Sequence, residues 1–256
     1  MSATRDITIG LAERSVKLIP RMPSTFVPSL IMPIFLVVSF SGAFAGLTQL
    51  PGFPADKMID WVFPMTTLQG CAFAGVTTAM AIARDLDNGF YDRLIGSPAP
   101  RISLMLGPLL ASVIRGMIPL TILLIVAVIG GANFNGGFPG LGMLVICAMS
   151  ISFIAGCWGL GLAFRAKTQQ IAPLMQMGLF TVFFLSTAQM PIQLLTGWIH
   201  QVARFNPITN VLQMARQVSL PAGVTWATTW PGFVSLAGMA AVLGLFAYRG
   251  LLKIVD

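Results

Sequence analysis

Charge is what this sequence has least of. Only 9% of its 256 residues are charged, as eight acids and fifteen Lys or Arg, and there is one histidine. A soluble domain carries about 25% charged residues. With 56% hydrophobic residues, the chain reads as embedded in a membrane, with little mass outside it. The lone His200 cannot build a zinc site without thiolate or carboxylate neighbours, and none is near it in sequence. No acid accompanies it in its segment, which argues against a Ser–His–Asp hydrolase. No GxxxxGK[ST] loop occurs, so ATP is not bound by that route. Cys71, Cys147 and Cys157 all lie in apolar runs. Their odd number and spacing fit neither a disulfide framework nor a metal site, and they read as small apolar packing residues.

The acids are absent where an ion-coupled transporter needs them. Asp6, Glu13, Asp56, Asp60, Asp85, Asp87, Asp92 and Asp256 all sit in expected loops or tails or, for Asp60, at the edge of a run. No mid-span carboxylate is left to carry protons. Arg115 is the one basic charge inside an apolar run. Two readings of it stand: snorkelling to the membrane surface, or a functional buried cation. Energy for any transport has to enter from elsewhere.

What is present is apolar runs. A hydrocarbon core of about 30 Å needs about 20 apolar residues as helix. Six runs qualify: Thr25–Leu47, Ile59–Ile82, Ile102–Ile129, Leu141–Phe164, Ile171–Ala188 and Trp226–Tyr248. The reading is an all-α integral membrane protein with six transmembrane helices. Residues 1–22 form an amphipathic interfacial helix, ended by Pro20 and Pro23, rather than a cleavable signal. Residues 23–253 form a single six-span domain. The basic residues flank the runs and form no patch, so they read as topology determinants, with no nucleic-acid partner. Placing the N-terminus inside puts Arg5, Arg14, Lys17, Arg21, Arg84, Arg93, Arg101, Arg165, Lys167, Arg249 and Lys253 on the inner side. Only Lys57, Arg204 and Arg216 fall outside. Both termini are then expected to be cytoplasmic.

Three connections carry different messages. Residues 130–140, rich in Gly, read as a flexible turn without chemistry. Residues 190–223 are interrupted by Pro191, Pro207 and Pro221. They are too broken to span, so re-entrant or interfacial helices are expected there. The segment from Arg84 to Arg101 concentrates six charges between the second and third runs. Asp87 or Asn88 can cap a helix there. Phe90, Leu94 and Ile95 share one face, and Ser97-Pro98 stops it. Gly42 and Gly46, four apart in the first run, suit close helix contact. In the fifth run, Met175, Gln176, Phe180, Phe183 and Gln189 combine an adaptable apolar surface with polar groups that need partners.

Two motifs carry a resemblance. The first reads Arg84-Asp85-Leu86-Asp87-Asn88-Gly89, then Arg93-Leu94, then Ser97-Pro98-Ala99-Pro100-Arg101. The second is Phe205-Asn206-Pro207-Ile208-Thr209, with Arg216 after it. In a six-span frame these resemble permease subunits of the ABC-2 type, nearest to the daunorubicin-resistance (DrrB-like) exporter permeases. Asp85 stands where that family often has Glu.

The resemblance implies a cytoplasmic coupling helix between spans two and three, seated in a soluble ABC ATPase subunit. Two ATPase copies are implied, together with a second permease chain, identical or sibling. ATP and Mg would be bound by the ATPase, with no cofactor and no metal in this chain. Asp85, Asp87, Asp92 and Arg93 would set the polar register of docking. Phe90, Tyr91 and Leu94 would anchor it, framed by Gly89 and Pro98. Arg14, Lys17 and Arg21 would mark the interfacial helix, which touches the ATPase too. Met175, Gln176, Phe180, Phe183 and Gln189 would line a substrate path. Asn206, Pro207 and Arg216 would mark the outer re-entrant element. The implied activity is ATP-driven export of a hydrophobic or amphiphilic drug or lipid across a bacterial cytoplasmic membrane. A polysaccharide or lipid-linked glycan exporter, and a non-transporting assembly factor, are the alternatives.

Overall fold

Ten α-helices are described in the computed structural model, which covers residues 2–17, 23–96 and 100–255. They are α1 (Ser2–Lys17), α2 (Pro23–Ala43), α3 (Met58–Asp87), α4 (Phe90–Ile95), α5 (Ser103–Ile129), α6 (Gly137–Ala166), α7 (Ala172–Phe184), α8 (Trp198–Phe205), α9 (Pro207–Arg216) and α10 (Trp226–Val255). Short 3₁₀ turns interrupt the chain at Ala45–Gln49, Gln169–Ile171 and Ile192–Leu194.

The expectation of six spans is overturned. Among the described residues, four helices are long and apolar enough to cross a membrane: α3, α5, α6 and α10. The fifth run fails for a local reason. Its helix, α7, has 13 residues, about 20 Å at 1.5 Å per residue, against about 30 Å of hydrocarbon. The run is apolar enough, but its helix does not continue: the backbone turns at Leu185, and the Ser186 hydroxyl donates to the Phe183 carbonyl. In the first run, Leu30–Ala43 is the apolar helical stretch found among the described residues.

The bundle is built around α3. In the most apolar window of α3, 89% is buried, against 17% in α10 at the periphery. Lipid tails are as apolar as Leu, so helices in a membrane associate by close packing of small residues. The α3–α6 seam follows this rule. A Cβ on Gly75 would strike the Ser152 carbonyl, and one on Gly159 would meet Ala79 at 2.5 Å. The α5–α6 seam adds hydroxyl bonds. Ser152 Oγ donates to the Ser112 carbonyl at 2.7 Å, and Gly156 lies under Ser112. Gly42 and Gly46, expected to share such a seam, do not. The helix ends at Ala43, and a Cβ at either glycine would meet nothing within 4 Å.

Helix direction alternates, so the bundle has two distinct ends. One end gathers α1, the C-termini of α3, α6 and α10, α4, and the starts of α5 and α7. The other gathers the start of α3, the turn from α5 to α6, α8, α9 and the start of α10. The segregation of Lys and Arg seen in the sequence falls on these two ends. Exposed aromatics ring the second end: Phe138, Trp198, Phe205, Trp226 and Trp230. Trp belts of this kind sit at membrane–water boundaries.

Candidate functional site

The charged segment starts where α3 stops. Asn88 donates its N–H to the Arg84 carbonyl, and Gly89 takes φ +67° with its N–H on the Leu86 carbonyl. That left-handed conformation is open to glycine at little cost. The chain reverses and α4 begins at once.

Two residues hold α4 against the bundle. Tyr91 is buried: its hydroxyl donates to the Leu104 carbonyl of α5 at 3.2 Å, and its ring lies 6.3 Å from that of Phe164 on α6. Burial pushes its phenol pKa up, so it stays neutral and donates. Phe90 is half-buried, and the Arg14 guanidinium of α1 lies 4.1 Å from its ring centroid. The same guanidinium is bidentate on Asp85, at 2.6 and 3.1 Å. That hydrogen bond raises the Arg14 pKa further, so it is always charged.

Helix α1 docks on α5 as well. Gly107 leaves room for Leu11, and Ser103 Oγ donates to the Thr4 carbonyl at 3.3 Å. Lys17 pairs within α1 with Glu13 at 3.2 Å and is exposed.

The resulting cluster joins α1, α3, α4, α5 and α6. Asp87, Asn88 and Arg93 are exposed on its outer side, with Leu94 half-buried. Asp85 and Tyr91 face inward, against Arg14 and Leu104. Arg21 and Pro98 lie outside the described residues, as does the side chain of Asp92. From the next turn, Gln169 accepts the Arg84 Nε–H at 3.2 Å and directs its own N–H at Asp87, 3.5 Å away.

The opposite end is knit by buried and half-buried polar groups. Asn206 is the pivot. Its Oδ1 caps α9 by accepting from Ile208 N–H at 3.0 Å, with Pro207 at the first helical position. Its Nδ2 donates to the Val182 and Leu185 carbonyls that close α7. Arg216 is wholly buried. It donates to the Trp61 carbonyl at 3.1 Å and the Ala188 carbonyl at 2.8 Å, and lies 3.4 Å from the Trp61 ring centroid.

The turn at residues 130–140, expected to be without chemistry, is bonded into this end. The Asp60 carboxylate accepts both the N–H and the Nδ2 of Asn133, at 2.7 and 3.0 Å, and Asn135 donates to the Ser219 carbonyl. Two asparagines among the glycines were the available signal.

Helix α7 connects the two ends. Met175 and Phe183 are buried; Gln176, Phe180 and Gln189 are half-buried. Gln176 Nε2 is 3.9 Å from Met80 Sδ, and Phe180 packs on Phe73 with centroids 5.2 Å apart. Beside α7 lies an apolar cavity of about 230 Å³, lined among others by Trp158, Gly178, Phe183, Met239 and Leu243. Among the described residues no cluster of three or more His, Cys, Asp or Glu occurs that would hold a metal.

A model of the ABC-2 type transporter family matches residues 8–220, a span that holds both polar ends. The daunorubicin resistance ABC transporter permease protein DrrB1 of Streptomyces coeruleorubidus is 21% identical over 244 residues, covering 92% of this chain and 82% of that one. ABC transporter G family member 20 of Dictyostelium discoideum is 24% identical over 187 residues, 72% of this chain but a quarter of that much longer one.

Proposed function

We propose that this chain, which belongs to the ABC-2 type transporter family, is the export permease of a bacterial cytoplasmic membrane and takes its energy from a soluble ATPase at its Gly89 end. Members of the family are non-catalytic membrane subunits without nucleotide-binding motifs, and this sequence has none of the phosphate-loop type. The observation that carries the reading is the five-helix cluster under α4. A load on α4 passes through the contact of Phe90 with Arg14 to α1, through Tyr91 to α5 and α6, and directly into α3. Asp87, Arg93 and Leu94 form the contact surface, with Asp92 beside them. Asp85, Phe90 and Tyr91 transmit, and Gly89 sets the angle.

In this reading ATP and Mg are held by two ATPase copies, and two permease chains, identical or sibling, face each other in the lipid. Both termini are cytoplasmic. Cargo is a hydrophobic or amphiphilic drug or lipid. The name of the Streptomyces relative and the apolar cavity beside α7 support this class over a glycan. Met175, Gln176, Phe180, Phe183 and Gln189 stand along one side of the route.

The test uses the chain co-expressed with its ATPase. Arg93→Glu is expected to abolish co-purification and cargo-stimulated hydrolysis, and Phe90→Asp to abolish the stimulated hydrolysis, while both leave membrane insertion intact. Normal co-purification and export by both variants would refute the docking role.

A further inference from the structure

A second arginine is buried without what it needs. Arg115 of α5 is 4% exposed. Its Nη1 reaches Thr78 Oγ1 on α3 only at 3.4 Å, and its Nε has no hydrogen-bond partner. A cation at this depth is costly unless an anion or a cavity answers it. Arg115 lines a partly open pocket of about 70 Å³ with Thr77, Met80, Ala81, Arg84, Gln169 and Ala172. A single water needs about 10–15 Å³ by this measure, so the space takes a larger polyatomic group.

The wall is electropositive from three directions. Arg115 stands at its deep end and Arg84 at its mouth, where Arg84 Nε holds Gln169. Ala172, the first residue of α7, brings the positive end of that helix to the same wall. None of the seven lining residues is an acid. Asp87 lies beyond the lining, within 3.5 Å of the Gln169 N–H on the exposed side.

We propose that this cavity binds a tetrahedral oxyanion, the phosphate headgroup of an anionic amphiphile entering from the Gly89 end. The headgroup accepts from the free Arg115 Nε–H, and from the Thr77 hydroxyl once it turns away from the Ala74 carbonyl to which it now donates at 3.0 Å, with Arg84 closing behind it. The same chemistry is offered by free inorganic phosphate, which is why both are tested. The inference does not depend on the export reading, because binding is measured without an ATPase.

The full chain, purified in uncharged detergent, is titrated with dioctanoyl phosphatidic acid, with dioctanoylglycerol lacking the headgroup, and with inorganic phosphate. Bound mass and thermal midpoint are followed. Phosphatidic acid is expected to bind and raise the midpoint, and dioctanoylglycerol is not. Arg115→Gln is expected to weaken that binding about tenfold or more, the size of one lost charged contact. A response to inorganic phosphate that Arg115→Gln abolishes supports the oxyanion site and assigns it to a free anion. Should Arg115→Gln fail to fold, Arg84→Gln and Gln169→Leu at the mouth carry the same comparison. Equal binding of the two dioctanoyl lipids with no phosphate response, or identical titrations by the parent and the variants, overturns the proposal.

Discussion

The two ends of this molecule solve the same problem, joining helices through polar groups, in opposite ways. At the Gly89 end the join is made by charged side chains partly open to water, Arg14 on Asp85 with side-chain exposures of 36% and 14%. At the Arg216 end it is made mainly by buried groups on backbone carbonyls, Arg216 on Trp61 and Ala188 and Ser219 on Asp60, with the half-buried Asn206 on Val182 and Leu185 at its rim. A buried bond cannot be exchanged for water, so breaking it costs the full desolvation of what is left behind. A half-exposed ion pair can be remade by water and salt. The first end is suited to being loaded and released, the second to holding a fixed geometry. The comparison teaches where stability and where transmission should be sought.

The strongest way to break the contrast is at Arg216. Arg216→Met removes both donors and leaves the Trp61 and Ala188 carbonyls unpaired, at about 1–3 kcal/mol each, besides the contact with the Trp61 ring. Thermal unfolding in detergent is expected to fall by several degrees or the protein to be lost on extraction. Arg216→Lys is expected to fare little better, because a point charge cannot serve two carbonyls and a ring face together. A parent-like midpoint for Arg216→Lys would show that charge alone, not the fork geometry, holds this end.

Asn206 sharpens the contrast at smaller scale. Asn206→Ala loses the α9 cap, worth about 1 kcal/mol, and both bonds to α7. Asn206→Asp keeps the cap oxygen and loses only the Nδ2 donors, placing a carboxylate against two carbonyls. Chemical denaturation of both variants separates the roles. Near-parent stability of Asn206→Asp would mean that the bonds to α7 contribute nothing.

How far the sequence could show all this differs between the ends for a physical reason. Charges at the Gly89 end are legible because an apolar chain has few places to keep them. The glycine that turns α3 into α4 is legible because little else takes that φ. The Asn-Pro pair at 206–207 announces a helix start by capping chemistry. The turn at 130–140 was misread because its asparagines act at long range, on residues 60 and 219. The number of spans was overestimated because hydropathy measures apolarity and not helical continuity: the Ile171–Ala188 run is apolar throughout, yet its helix ends at Phe184. Arg115 could be placed in a span but its depth could not, since its neighbours Thr77, Thr78 and Gln169 come from distant parts of the chain.

The smallest expected effect tests the open end itself. A double-mutant cycle on Arg14→Ala and Asp85→Asn, read by urea or thermal denaturation, should give a coupling of about 1 kcal/mol or less. It should shrink as salt brings the screening length to about 8 Å and below. Asp85→Glu refines the point. The Phe90 ring holds the Arg14 guanidinium in place, with 4.1 Å between the guanidinium carbon and the ring centroid, so the carboxylate must come to it at a set reach. An extra methylene moves both oxygens off the fork, and the bidentate pair is expected to become a single contact with part of the coupling retained. Unchanged coupling in Asp85→Glu would mean that α1 shifts to follow the carboxylate. The cluster under α4 would then be a compliant joint and not the rigid one that the Arg14, Asp85 and Phe90 geometry describes.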